Sequence, residues 1–146
     1  MSSIKNIIKK FVVALFTIIH VLGFTKLNIF RNKNKKNRML EIGPGAFRID
    51  GFETLNVKGY FGVDYVADAA KSLPFKDQTY DLVYASHILE HVPGYKLESA
   101  LMELFRVIKS GGKIEIWVPN GLLICQTLVE AELNGESNID KDGWYK

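Results

Sequence analysis

The chain has 146 residues, 47% hydrophobic and 24% charged. That balance fits one globular domain and excludes a disordered tail, a collagen-like repeat and a disulfide scaffold. The net charge of +3 hides an asymmetry: residues 1–38 carry nine Lys or Arg and no acid, whereas 39–146 carry ten basic and sixteen acidic residues. A basic leader on an acidic body points to an anionic surface as the leader's partner and argues against nucleic-acid binding. The single cysteine, Cys125, excludes an internal disulfide and a Cys-based zinc cluster. It fits a reducing compartment and is expected to be buried and inert.

Within the leader, residues 11–24 (FVVALFTIIHVLGF) form an apolar run with lysines on both sides. A membrane span needs about 20 apolar residues and tolerates a His poorly, so a span is disfavoured. No small-residue cleavage site follows the run, so export is disfavoured too. What remains is an interfacial helix on anionic lipid or a helix that covers the domain's own sheet. Residues 31–38 (RNKNKKNR) are expected to form a polar, solvated linker, placing a leader helix and linker at 1–38 and the domain at 39–146.

From Met39 onward, short β-type runs alternate with loops and helical stretches, the pattern of an α/β domain with a mainly parallel sheet. The predicted strands are 39–42, 53–57, 63–67, 80–85 and 113–118. Leu97, Leu101, Leu104, Phe105 and Ile108 recur at helical spacing and predict a helix over 95–109, ended by Ser110-Gly111-Gly112. Asn120 is expected to cap a helix running to about residue 133. Only residues 58–62 separate the second and third strands, whereas a parallel crossover normally takes roughly 10–12 residues. The third strand is therefore expected to be short, irregular or absent.

Leu40-Glu41-Ile42-Gly43-Pro44-Gly45 places an acid at a strand end and two glycines in the following turn, at the carboxyl edge where open α/β sheets bind cofactors. Arg48 stands where a dinucleotide-binding loop would carry its third glycine, which argues against a nicotinamide-dependent oxidoreductase. His87-Ile88-Leu89-Glu90-His91 matches an inverted zinc-hydrolase pattern, but Pro93-Gly94 would stop the helix that pattern needs, so no metal is expected.

Together with Val66-Ala67-Asp68-Ala69, Leu73-Pro74-Phe75, the strand at 80–85 and the stretch Lys109-Ser110-Gly111-Gly112-Lys113-Ile114, the glycine turn resembles the class I S-adenosylmethionine-dependent methyltransferases, specifically the type 11 methyltransferase domain, over residues 39–120. The resemblance implies a Rossmann-like, mainly parallel sheet, here lacking the family's last two strands and exposing the edge of the strand at 113–118. It implies that Gly43 and Gly45 line the methionine part of S-adenosylmethionine and that Glu41 engages its ammonium. Asp68 would meet the adenine amino group, with Ala69 beside the ring and Ser86 among the cofactor-facing residues. Members usually end the second strand with a ribose-binding acid; Asn56-Val57-Lys58 stands there, so either Glu53, Asn56 or Asp64 is expected to substitute or cofactor affinity is expected to be low. His87 or His91 would take a proton from the acceptor. The expected activity is methyl transfer to a small or lipid- or glycan-linked acceptor on the cytoplasmic side, with residues 1–38 on the inner membrane face; the alternative is a cofactor-binding remnant without turnover.

Overall fold

The computed structural model describes residues 2–45 and 48–134. The expected close of the domain at residue 146 lies outside the described residues. Helix α1 (Ser2–Ile19) is followed by a kinked segment (His20–Phe24), where Gly23 takes a non-helical φ of +141°, and then by α2 (Thr25–Asn32). Then follow β1 (Met39–Ile42), β2 (Glu53–Asn56), β3 (Tyr65–Val66), β4 (Tyr80–Ser86), a 3-10 turn (Leu89–His91), α3 (Gly94–Val107), β5 (Ile108–Trp117) and α4 (Gly121–Leu133). The five strands form one parallel sheet in the order β3-β2-β1-β4-β5. Chain order reverses direction across the sheet between β1 and β4, the topological position at which open α/β sheets form ligand crevices.

Leu40, Leu55, Tyr65, Tyr80, Val83, Leu104 and Val107 are buried at the centre of the core. β1 has its predicted bounds because every register partner is apolar or buried: Ile42 pairs with Leu55 on one side and with Ala85 on the other. Helix α3 stops at Val107, two residues before the predicted end, because Ile108 is extended and pairs with Tyr80. Ser110-Gly111-Gly112 does not terminate the helix. It belongs to a bulge in β5, whose paired residues jump from Ile108 to Lys113 while β4 advances only from Tyr80 to Leu82. A Cβ on Gly112 would lie 3.0 Å from the Asp81 carbonyl oxygen, so only glycine allows this close approach. Asn120 caps α4 as expected, its Oδ1 accepting from the Leu123 amide at 3.1 Å. Cys125 on that helix is exposed rather than buried, since α4 buries little besides Ala131.

β3 is reduced to two residues, joined to β2 by an eight-residue link (57–64) with no crossover helix. Asp64 stands in for ladder partners: its carboxylate accepts from the Thr54 amide at 2.9 Å, and its own amide donates to the Thr54 carbonyl at 3.1 Å. The leader packs over this link. Thr17 Oγ1 accepts from the Gly59 amide at 2.9 Å, and a Cβ on Gly59 would lie 2.7 Å from the α1 backbone. Farther along, Thr25 Oγ1 accepts from the Val66 amide and Asn28 donates to the Asp64 carbonyl. His20 is buried against Thr25, and burial holds its imidazole below the ordinary value despite the opposing Asp64.

The expected solvated linker is corrected at both ends. Helix α2 extends to Asn32, and Arg38 is buried in an ion pair with Glu53. The first half of α1 differs in kind from the docked half: Ile4, Ile7, Ile8 and Phe11 are all exposed. By length and composition, Ile4–Asn32 would suffice to cross a membrane, but Gly23 at φ +141° breaks it into two helices, and α1 alone has 18 residues.

Candidate functional site

A cleft of about 450 Å³ opens at the carboxyl edge of the sheet. Four strands contribute to it: Gly43 just after β1, Asn56 at the end of β2, Asp68 and Ala69 after β3, and Ile88 and His91 after β4. Because the strands are parallel, all four connections leave at the same edge, and residues far apart in sequence converge there.

Gly43 has φ +70° and donates its amide to the Leu55 carbonyl at 2.8 Å. A Cβ there would stand 1.9 Å from Ile88 Cδ1, so glycine lets the β4 loop close onto the β1 turn. Asn56 donates to the Tyr60 hydroxyl at 3.1 Å, and that hydroxyl donates in turn to the Pro44 carbonyl, tying the β1 and β2 turns together. Asp68 Oδ1 accepts from the Ala70 amide at 2.9 Å, a local turn that fixes the carboxylate in the cleft; Lys71 Nζ stands 3.8 Å from Oδ2, which keeps acceptor capacity for a ligand. His91 lies exposed at the rim, at the end of the 3-10 turn.

The cleft thus gathers Gly43, Asn56, Asp68, Ala69 and His91. It does not include Glu41, Gly45, Ser86 or His87. Glu41 is buried and accepts from the Ile49 amide at 3.3 Å, so it braces the loop after β1. Gly45 is exposed beyond the turn, and Ser86 ends β4 opposite Trp117. His87 occupies the left-handed region at φ +54° and pairs with Glu90 at 3.3 Å, away from His91. Among the described residues no group of three His, Cys, Asp or Glu could hold a metal ion.

Of the three expected ribose partners, only Asn56 lines the cleft. Glu53 sits at the amino end of β2, where burial would raise its pKa but the Arg38 guanidinium and the Tyr65 hydroxyl hold it below the carboxylate range. Asp64 is engaged by Thr54 and by Arg48, whose guanidinium lies 2.9 Å away. Sequence reasoning missed Ile88, Val92, Pro93 and Lys96 in the lining, together with the bridging role of Tyr60. Pro93-Gly94 was visible as a helix boundary, but nothing local marked it as a cleft wall.

An adenosyl compound suits these residues. The volume lies within the range of roughly 300–1,000 Å³ typical of small-molecule sites. Ile42, Leu55, Val57 and Ala67 give apolar walls, and the small side chains of Ala69 and Ala70 leave space beside a carboxylate and a carboxamide.

The profile of a family described as "Methyltransferase domain" matches residues 37–116. The chain is similar to the ubiquinone/menaquinone biosynthesis C-methyltransferase UbiE of Xanthomonas oryzae pv. oryzae, at 44% identity over 77 residues, 52% of this chain and 29% of that protein. It is also similar to the demethylmenaquinone methyltransferase of Anoxybacillus flavithermus, at 41% identity over 64 residues, 44% of this chain and 26% of that protein. The matched stretches thus span less than a third of these relatives' lengths. Among solved structures, the PH0226 protein of Pyrococcus horikoshii superposes with a TM-score of 0.46 at 22% identity, covering 77% of this chain and 60% of that one.

Proposed function

Because this chain belongs to the methyltransferase domain family, we propose that its carboxyl-edge cleft binds S-adenosylmethionine and serves methyl transfer to a small-molecule acceptor. The observation that carries this reading is Asp68: a carboxylate pinned by its own turn, within an apolar cleft at the reversal point of the sheet. When bound, the cofactor supplies an electrophilic methyl group on a sulfonium. Asp68 would accept a hydrogen bond from the adenine amino group, and Ala69 would lie beside the ring. Asn56 keeps one amide hydrogen and carbonyl lone pairs for the ribose hydroxyls. Gly43 brings backbone, not a side chain, to the methionine portion.

Displacement at a sulfonium methyl has a good leaving group, so holding acceptor and methyl in line supplies much of the catalysis. At the rim, His91 is placed to take a proton from the acceptor, whereas His87 lies outside the cleft. The names of the two relatives, a demethylmenaquinone methyltransferase and a ubiquinone/menaquinone biosynthesis C-methyltransferase, support a quinone-type ring as the acceptor.

The leader supports a finer point, a resting place on an anionic cytoplasmic membrane face. Ile4, Ile7, Ile8, Phe11, Leu15 and Ile18 share one exposed face of α1. Thr17 lies on the other face and holds the domain through the Gly59 amide. With residues 17–32 docked, the free part of α1 is roughly 23 Å long, short of the hydrocarbon core, so it lies in the interface plane.

Calorimetric titration with S-adenosylhomocysteine tests the cofactor site. Saturable binding that weakens roughly tenfold in Asp68→Ala is expected, the loss of about one charge-assisted hydrogen bond. No binding by the folded chain overturns the reading.

A further inference from the structure

Among the described residues the cleft is not the sole concavity. A pocket of about 700 Å³ lies at the opposite, amino edge of the sheet, between α2, the segment before β1, the turn at 75–79 and the start of β5. Its lining includes Lys26, Lys33, Lys35, Lys76, Lys109 and Arg38, with Asp77 as the sole acid. Three of those charges are already answered. Arg38 is paired with Glu53 at 2.7 Å, Lys109 with Asp81 at 2.7 Å, and Asp77 with Arg106 at 2.8 Å. Lys26, Lys33, Lys35 and Lys76 have no carboxylate within ion-pair distance among the described residues.

A positive charge near a helix C-terminus is ordinary, and Lys33 at the end of α2 would be explained by that alone. Lys76 would not, because it comes from a turn more than forty residues away and faces the same concavity. Four ammonium groups without a paired carboxylate surround one depression and repel one another, although Lys35 also feels the Glu53 charge at longer range, and that repulsion is relieved when a multiply charged anion enters. The lining also has neutral polar groups in Asn34, Gln78 and Thr79 and apolar surface from Ile29 and Phe75. Lys33 Nζ stands 4.1 Å over the Phe30 ring, which holds one ammonium at the pocket wall.

We infer that this amino-edge pocket is an anion site for a phosphate-bearing group. Lysines act as mobile point charges that converge on tetrahedral phosphate oxygens, whereas a planar carboxylate is better served by the fork of an arginine, and the pocket's one arginine is committed to Glu53. The phosphate could belong to a membrane lipid or to a soluble compound. The inference is separate from the cofactor reading, since the two sites lie at opposite edges of the sheet.

The test is titration of the full chain with inorganic pyrophosphate, beside sedimentation with phosphatidylcholine vesicles with and without phosphatidate. The variants are Lys33→Gln/Lys35→Gln/Lys76→Gln and, with the same loss of charge on α1, Lys5→Gln/Lys9→Gln/Lys10→Gln. All six side chains are exposed, and unchanged urea midpoints verify the fold. Saturable pyrophosphate binding that weakens at least about tenfold in the pocket variant but not in the α1 variant is expected. A phosphatidate-dependent gain lost only in the pocket variant assigns the phosphate to lipid; vesicle binding equal in wild type and pocket variant assigns it to a soluble compound. Pyrophosphate binding that is absent, or equally weakened in the two variants, overturns the site.

Discussion

Arg38, the last residue of the leader, closes a bidentate pair with Glu53, the first residue of β2, through Nε at 2.9 Å and Nη2 at 2.7 Å. Both are almost wholly buried. The Tyr65 hydroxyl donates to the same carboxylate at 2.5 Å, and the guanidinium lies 4.7 Å from the Tyr80 ring centre. The pair therefore locks the amino ends of three strands to the chain that enters the sheet. Removing one member strands a buried charge, so Arg38→Met should lower unfolding free energy by about 3–5 kcal/mol in urea titration. A change under about 1 kcal/mol would show that water reaches Glu53 and answers its charge.

Gly43→Ala meets two obstacles. A left-handed φ costs a non-glycine residue about 1–2 kcal/mol, and the new Cβ collides with the Ile88 side chain. The variant should lose roughly 1–3 kcal/mol of stability and bind S-adenosylhomocysteine about tenfold more weakly. In a double-mutant cycle, Ile88→Ala should remove the collision and leave only the backbone cost. Strict additivity of the two changes would contradict the contact.

Acid stability should carry the mark of Glu103. Its hydrogen bond from Arg106, aided by the Leu73 amide and opposed by slight desolvation, holds its pKa down at about 2 against an ordinary 4.5. The folded state thus prefers the carboxylate. The stabilisation is complete above the ordinary value and is lost as pH falls from about 4.5 through about 2. Glu103→Gln should flatten the fall of thermal midpoint across that window; an unchanged slope would remove Glu103 from the account.

The exposed face of α1 gives a direct membrane measurement. Ile7→Gln/Phe11→Gln removes two exposed apolar side chains, each worth about 1.5–3 kcal/mol when buried. Flotation with phosphatidylglycerol vesicles should fall at least about tenfold, while S-adenosylhomocysteine binding is retained. Equal flotation of variant and wild type would rule out lipid contact through this face.

The chain itself determined what depends on neighbouring residues. The bounds of β1, the helix over α3 and the Asn120 cap were readable because periodicity, turn chemistry and capping act within a few residues of one another. The same holds for the shortness of β3, which a five-residue gap already implied. Side-chain partners were another matter. Glu41 carries the acid expected at a binding turn, yet it points to the Ile49 amide; Arg38 sits in a string of solvated cations, yet it finds Glu53. Only the tertiary path decided which of two histidines reaches the cleft, which of three polar residues lines it, and that α2 covers β3 while the first half of α1 stays bare. A side chain's electrostatic partner is set by where distant strands bring the backbone, and a sequence pattern holds no record of that distance.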